Sequence, residues 1–308
     1  MGILDRAKAA GARQVLSYIE KDPETNILKI IDWMIRFNVA GSKHNEDLLT
    51  IRAHLEDRNG SWYRLVSSLW TDVDLAVRKT IFENLIINVG MERQNAKKKS
   101  GGSVPMGIML DQKGEKKLRK LPASEGGAPD KYDALIRKNK KGSVFAYIFT
   151  GGSASISIRD LRKLARIHPD CIFVTMNDPR DVDDMFADIC FAAKNIVPIV
   201  ARRGSSDDSE SVFKDACSAL RKRKLAYGAF AVCSGDNAEW LSGADFASEM
   251  EDCGVKLAWI FEDDGYDMPE NEGREFYEKI MYNRNNYPLL IVDFIHEEQF
   301  LGGRITGW

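Results

Sequence analysis

Seven short apolar runs, separated by stretches with three- and four-residue periodicity, fill the chain from residue 105 onward. The runs at 106–111, 144–150, 171–176, 196–201, 226–233, 255–261 and 288–294 have the length and apolar character of buried strands. The segments 130–140, 157–167, 180–193, 210–224, 237–252 and 270–286 between them read as amphipathic helices. Such alternation predicts a parallel sheet with right-handed crossovers. About six repeats leave a doubly wound sheet and a full or partial barrel both open. In either, ligands are expected on loops leaving the C-terminal ends of the strands.

Residues 1–94 follow a different rhythm and predict a helical region. Ile27, Ile30, Ile31, Met34 and Phe37 share one helix face. Thr71, with Asp74 three residues on, reads as a capping box opening a further helix whose inner face is Val77, Ile81, Leu85 and Val89. Trp62 and Trp70 are expected to anchor this layer to something larger. The polar stretch RQNAKKKSGGS, 93–103, marks a break, so the chain divides into a helical region at 1–94, a linker at 95–104 and an α/β region at 105–308.

Composition narrows the class without naming a chemistry. Of the 308 residues, 44% are hydrophobic and 29% charged, as in soluble globular proteins. A formal net charge of −2 gives no field for nucleic acid, and no apolar run is long enough to span a membrane. The opening MGILDRAKAAGARQ has no apolar core of signal-peptide length, so a cytoplasmic location is expected. Cys171, Cys190, Cys217, Cys233 and Cys253 make no CxxC pair and read as buried, reduced thiols. His44, His54, His168 and His296 are scattered, with no metal-ligand spacing among them.

The run AYIFTGGSASIS, 146–157, places two glycines where a strand meets a helix, a position that lets backbone approach a ligand closely. Together with DLRKLARIHPDCIF at 160–173, DDMFAD at 183–188, NIVPIV at 195–200 and VDFIHEEQFLGG at 292–303, it resembles the core of the radical S-adenosylmethionine (radical SAM) superfamily, in the subgroup with a SPASM-type C-terminal extension. Residues 61–88 resemble a helical segment that precedes the barrel in one bacterial subgroup. The resemblance implies a (β/α)6 partial TIM-like barrel with an N-terminal helical region.

It also implies ligands that this chain does not carry. The family holds its [4Fe–4S] cluster on C-x3-C-x2-C, and those positions, counted from Asp111, are Lys116, Lys120 and Ala123. The Gly-Gly-Glu-Pro loop that meets the SAM amino group reads Gly151, Gly152, Ser153 and Ala154. A Ser/Glu pair on the fourth strand reads Ala201 and Arg203, and a Thr-Asn-Gly turn reads Asn177, Asp178 and Pro179. The cysteine that opens the extension reads Arg304, and the extension itself is expected to be missing.

The expectation is a non-catalytic radical SAM-like protein, with neither cluster nor metal, that binds or scaffolds an active homologue or the peptide or protein that homologue modifies. Two alternatives stay open. Lys116, Lys117, Arg119, Lys120 and Arg203 would suit a small anion or nucleotide at the barrel mouth, with Gly151, Gly152, Ser153 and Asn177 beside it. A non-radical enzyme on the same barrel would draw on the acidic run at 262–275, where Glu262, Asp263, Asp264 and Asp267 suit a hard cation, or on His296 beside Asp293 and Glu297. A solvated acidic loop and a structural histidine are the simpler readings of those two features.

Overall fold

The computed structural model describes residues 3–37, 45–87, 107–110, 128–140, 144–151, 156–204, 206–263, 268–293 and 305–307. Five helices come first: α1 (Ile3–Ile19), α2 (Pro23–Arg36), α3 (Asn45–Glu56), α4 (Ser61–Asp72) and α5 (Leu75–Ile87). The α/β region follows as β1 (Gly107–Leu110), α6 (Ala128–Lys140), β2 (Ala146–Phe149), α7 (Ile158–Ile167), β3 (Ile172–Asn177), α8 (Asp184–Ala193), β4 (Ile196–Ala201) and α9 (Asp207–Lys222). It ends with β5 (Gly228–Cys233), α10 (Ala238–Ser242), α11 (Ala244–Asp252), β6 (Leu257–Glu262), α12 (Glu270–Asn286), β7 (Leu290–Asp293) and β8 (Ile305–Gly307).

The strands form one sheet in the order β7-β6-β5-β4-β3-β2-β1-β8, and every described pairing is parallel. From β1 to β7 each strand lies beside the next in sequence. Right-handed crossovers in one constant direction put all the helices on the same side. The packing agrees: one buried cluster joins outward strand residues such as Tyr147, Phe149 and Phe173 to Leu135, Leu164, Phe186, Phe213, Phe246 and Ile280 of the helices. The second cluster is built on Phe145, Ile148, Ile172, Val174, Met176, Ile199 and Trp259, all in or next to strands. A sheet whose other face has no helices buries that face by curling. The result is a partial TIM-like barrel of six β/α units closed off by β7.

Pairing registers set the inner face row by row. Met176, Ile199, Gly228, Leu257 and Leu290 form one row, and Ala201, Phe230, Trp259 and Val292 the next. A Cβ at Gly228 would stand 2.7 Å from the Leu257 carbonyl oxygen, so the close approach of β5 to β6 requires glycine there.

The helical region docks at the N-terminal ends of the strands, away from the loops expected to bind ligands. The Asp74 amide donates to Lys224 O at 2.8 Å before β5, Lys256 Nζ meets Asp72 Oδ2 at 2.5 Å before β6, and Asn84 Nδ2 donates to Pro169 O at 3.0 Å before β3. Ile81 packs against both apolar clusters. Arg78 holds the layer together. It is 6% exposed, its Nη2 lies 2.5 Å from Oε2 of Glu20, just past α1, and its Nη1 donates to Leu69 O, Trp70 O and Val73 O at the end of α4 at 3.1, 3.1 and 2.8 Å.

Several sequence expectations change here. Asp74, not Thr71, caps α5: its Oδ1 accepts from the amides of Ala76 and Val77 at 2.8 and 3.3 Å, while Thr71 Oγ1 bonds back into α4. The buried face of α5 runs through Val77, Arg78 and Asn84, which leaves Leu85 exposed, because two polar side chains have buried partners. Val89 lies outside the described residues. The helix expected at 237–252 is two helices broken at Gly243, which is extended with φ −75 and ψ 163. Ile305–Gly307, outside all seven strand runs read from the sequence, forms β8 alongside β1.

Arg78→Ala leaves the Glu20 carboxylate, only 11% exposed, without its partner and three backbone carbonyls without their donor. It is expected to cost about 3–5 kcal/mol, measured as a lowered urea midpoint.

Candidate functional site

Of the mouth residues singled out from sequence, Gly151, Asn177 and Arg203 are described, each at or just past the C-terminal end of a strand. Thr150, just past β2, is tied to the last carbonyl of β1: its amide and its Oγ1 reach Leu110 O at 3.2 and 3.1 Å. Gly151 follows, half-buried. Lys116, Lys120, Ala123, Gly152, Ser153, Ala154 and Arg304 lie outside the described residues, as do Asp264, Asp267, His296 and Glu297.

Asn177 ends β3 but does not face the barrel interior. Val174 and Met176 take the inward positions, so strand alternation turns Thr175 and Asn177 toward the helices. There the two side chains satisfy each other. Thr175 Oγ1 donates to Asn177 Oδ1 at 3.1 Å and Asn177 Nδ2 donates to Thr175 O at 2.7 Å. Both line a cavity of about 310 Å³ between α7 and α8, together with Ile156, Arg180, Asp183 and Phe186.

Arg203 does stand at the mouth, with its side chain 68% exposed and its Nη2 2.9 Å from Asp178 Oδ2. The cation expected to await an anion therefore has a carboxylate beside it already. Its neighbour Arg202 went unnoticed in the sequence. Arg202 points the opposite way and is 2% exposed. Its Nε and Nη2 donate to the two carboxylate oxygens of Glu249 on α11 at 2.6 and 3.2 Å, and its Nη1 donates to Ser209 Oγ at 3.0 Å and to Gly204 O. The guanidinium carbon sits 5.0 Å from the Trp240 ring centre and 5.9 Å from that of Phe213. Only strand parity separates the two arginines in the sequence, and Glu249 is too distant there to be seen as a partner.

The inward positions of β1 to β7 carry no titratable side chain: Met109, Ile148, Val174, Met176, Ile199, Phe230, Trp259, Phe261 and Val292 are representative. The strands thus offer the interior no acid or base, and no carboxylate, imidazole or thiolate to hold a metal. Among the described residues no group of three or more His, Cys, Asp or Glu side chains is arranged to hold a metal ion. Glu262 and Asp263 are exposed, while Asp293 is fully buried on the helix side. His168 Nε2 lies 2.7 Å from Asp133 Oδ1 on α6, a structural contact at the opposite end of the barrel. Burial opposes ionisation of Asp133, but hydrogen bonds from Arg137 and His168 outweigh it and hold the carboxyl below its usual range.

None of the five cysteines forms a disulfide, and all are buried in the helix-side cluster. Cys233 comes nearest the mouth, at the end of β5, yet it faces outward and burial pushes its thiol up to about 12. No helix among the described residues is long and apolar enough to cross a membrane.

A scan against protein-family models returns no match, and neither does a search of curated proteins. Solved structures similar to the chain include radical SAM enzymes. SuiB of Streptococcus suis, bound to S-adenosylmethionine, aligns with a TM-score of 0.47 at 11% identity over 68% of this chain and 56% of its own. The radical SAM methyltransferase TsrM of Kitasatospora setae aligns with a TM-score of 0.32 at 13% identity, over 43% of this chain and 29% of its own. A 2,3-dimethylmalate lyase of the PEP mutase/isocitrate lyase superfamily aligns with a TM-score of 0.36 at 11% identity, over 72% of this chain and 80% of its own. The chain thus spans less than two thirds of SuiB and TsrM. With every one of these TM-scores below 0.5 and two superfamilies represented, the partial barrel rests on the chain's own strand order.

The adjacent arginines separate cleanly by substitution. Arg202→Met strands the Glu249 carboxylate in a buried setting and is expected to cost about 3–5 kcal/mol. Arg203→Met removes an exposed pair and is expected to change stability by less than about 1 kcal/mol. Urea unfolding of both variants checks the contrast.

Proposed function

We propose that this chain is a radical SAM-like barrel without iron–sulfur chemistry of its own, serving as a binding or scaffolding partner for an active homologue or for the peptide or protein that homologue modifies. One observation carries the reading: every cysteine in the chain is buried in the core between sheet and helices. A site-differentiated cluster needs three thiolates converging where the strands end. The loop that would supply them, 111–127, contains no cysteine at all.

The apolar interior supports the same reading. A strand set with no acid, base or thiolate facing inward leaves chemistry and binding alike to the loops at the strand ends. The pairing of Arg203 with Asp178 weighs against an anion site at this part of the mouth. The proposal excludes a cluster on this chain, and it leaves any S-adenosylmethionine chemistry to the partner.

Anaerobic reconstitution with iron and sulfide tests it. The expected outcome is no stoichiometric iron or sulfide after desalting, and no charge-transfer absorption. A [4Fe–4S] signal at one cluster per chain would overturn the proposal. Native mass spectrometry of the protein from its own host is then expected to show a second polypeptide at fixed stoichiometry, and sequence similarity of that polypeptide to radical SAM enzymes or their peptide substrates is the required identity.

A further inference from the structure

Among the described residues two side-chain polar atoms are buried without a hydrogen-bond partner, Trp70 Nε1 and Asn195 Oδ1. Asn195 lines none of the described cavities, but Trp70 lines one. That cavity, of about 210 Å³, lies within the helical layer, where three helices meet without filling the space between them. Its walls include Ile27 and Leu28 of α2, Leu55 of α3, and Val66 and Trp70 of α4.

The indole is held from its other side. The Phe82 ring of α5 packs against it with 5.5 Å between centres, and the Arg78 guanidinium carbon stands 5.3 Å from the Trp70 ring centre. Neither neighbour has a lone pair to accept from Nε1, since a guanidinium only donates. A buried donor left unmet costs free energy, and a bound acceptor recovers it. Water fits the site poorly. A buried water needs about two to four polar partners, and the wall of this cavity is predominantly carbon.

We propose that this cavity binds a small neutral molecule, a single apolar ring bearing a carbonyl group, whose oxygen accepts from Trp70 Nε1. Size agrees with that class. An apolar cavity of about 150 Å³ admits benzene, so about 210 Å³ takes a ring with a short substituent. Charge selects a neutral ligand. Glu24 is the one charged residue in the wall, and its carboxylate repels an anion. Arg58 Nη2, 3.6 Å from Glu24 Oε2, already answers that carboxylate, which removes the attraction for a cation. The site stands in the helical layer, apart from the barrel mouth, and does not depend on the scaffolding role proposed above.

The test uses two probes of one shape, acetophenone with C=O and α-methylstyrene with C=CH2 in its place. Each is titrated into the full chain by calorimetry, and the indole N–H signals of the six tryptophans are followed by NMR. The expected result is saturable one-site binding of acetophenone, with one indole signal, absent from Trp70→Phe, moving downfield. Absence of saturable binding to the wild-type chain overturns the proposal. Trp70→Phe keeps an aromatic wall and removes the donor. It is expected to weaken acetophenone about tenfold and to change α-methylstyrene by less than about twofold. Equal weakening of both probes, or unchanged binding of acetophenone, overturns the role of the indole as donor. Val66→Phe fills the cavity from α4 and keeps the indole, so binding is expected to disappear. Binding retained in that variant overturns the location, and this second variant decides the matter if Trp70→Phe fails to fold.

Discussion

A parallel sheet must bury both of its faces, and this chain has helices for only one of them. Everything else follows from how the second face is covered. Sequential strand order with crossovers of one hand sends α6 through α12 to the outside, where Leu135, Leu164, Phe213 and Ile280 meet Tyr147, Phe149 and Phe173. The inner face then closes on itself through Ile148, Val174, Met176, Ile199 and Trp259. Leu257 and Trp259 can reach their rows only because Gly228 lets β5 approach β6.

Polar groups in this core act as braces. Arg78 joins the turn after α1 to the end of α4, and Arg202 joins β4 to α11. Each guanidinium meets a carboxylate, donates to neutral oxygens and lies near an aromatic ring, so its charge is answered on several sides. Asn84 and Asn195 work in the same manner on carbonyls next to β3, where Asn195 Nδ2 reaches Ala165 O, His168 O and Cys171 O. Arg78, Asn84 and Asn195 act at the end of the barrel away from the mouth, where the helical layer rests, while Arg202 braces the mouth end of β4.

The mouth itself is defined by direction more than by composition. Asn177 and Arg203 occupy neighbouring strand ends, yet one side chain turns to the helices and the other to solvent. The cysteines show the same separation of residue type from place. Thiols are present, but as core groups on the outer side of the sheet.

The sequence by itself determined the α/β alternation, the six repeats and the helical region before them, because periodicity and strand-length apolar runs are local properties. It also determined which residue types are missing from the loop at 111–127. Strand boundaries were legible to within two residues, as at 196–201, where expectation and strand coincide. The short β8 was illegible, since three residues carry no periodic signal. Tertiary structure alone decided which way Arg202 and Arg203 point, that Asp74 caps α5, and that Gly243 divides a helix. Each depends on contacts between segments far apart in the chain, and no local pattern encodes a partner that only folding brings near.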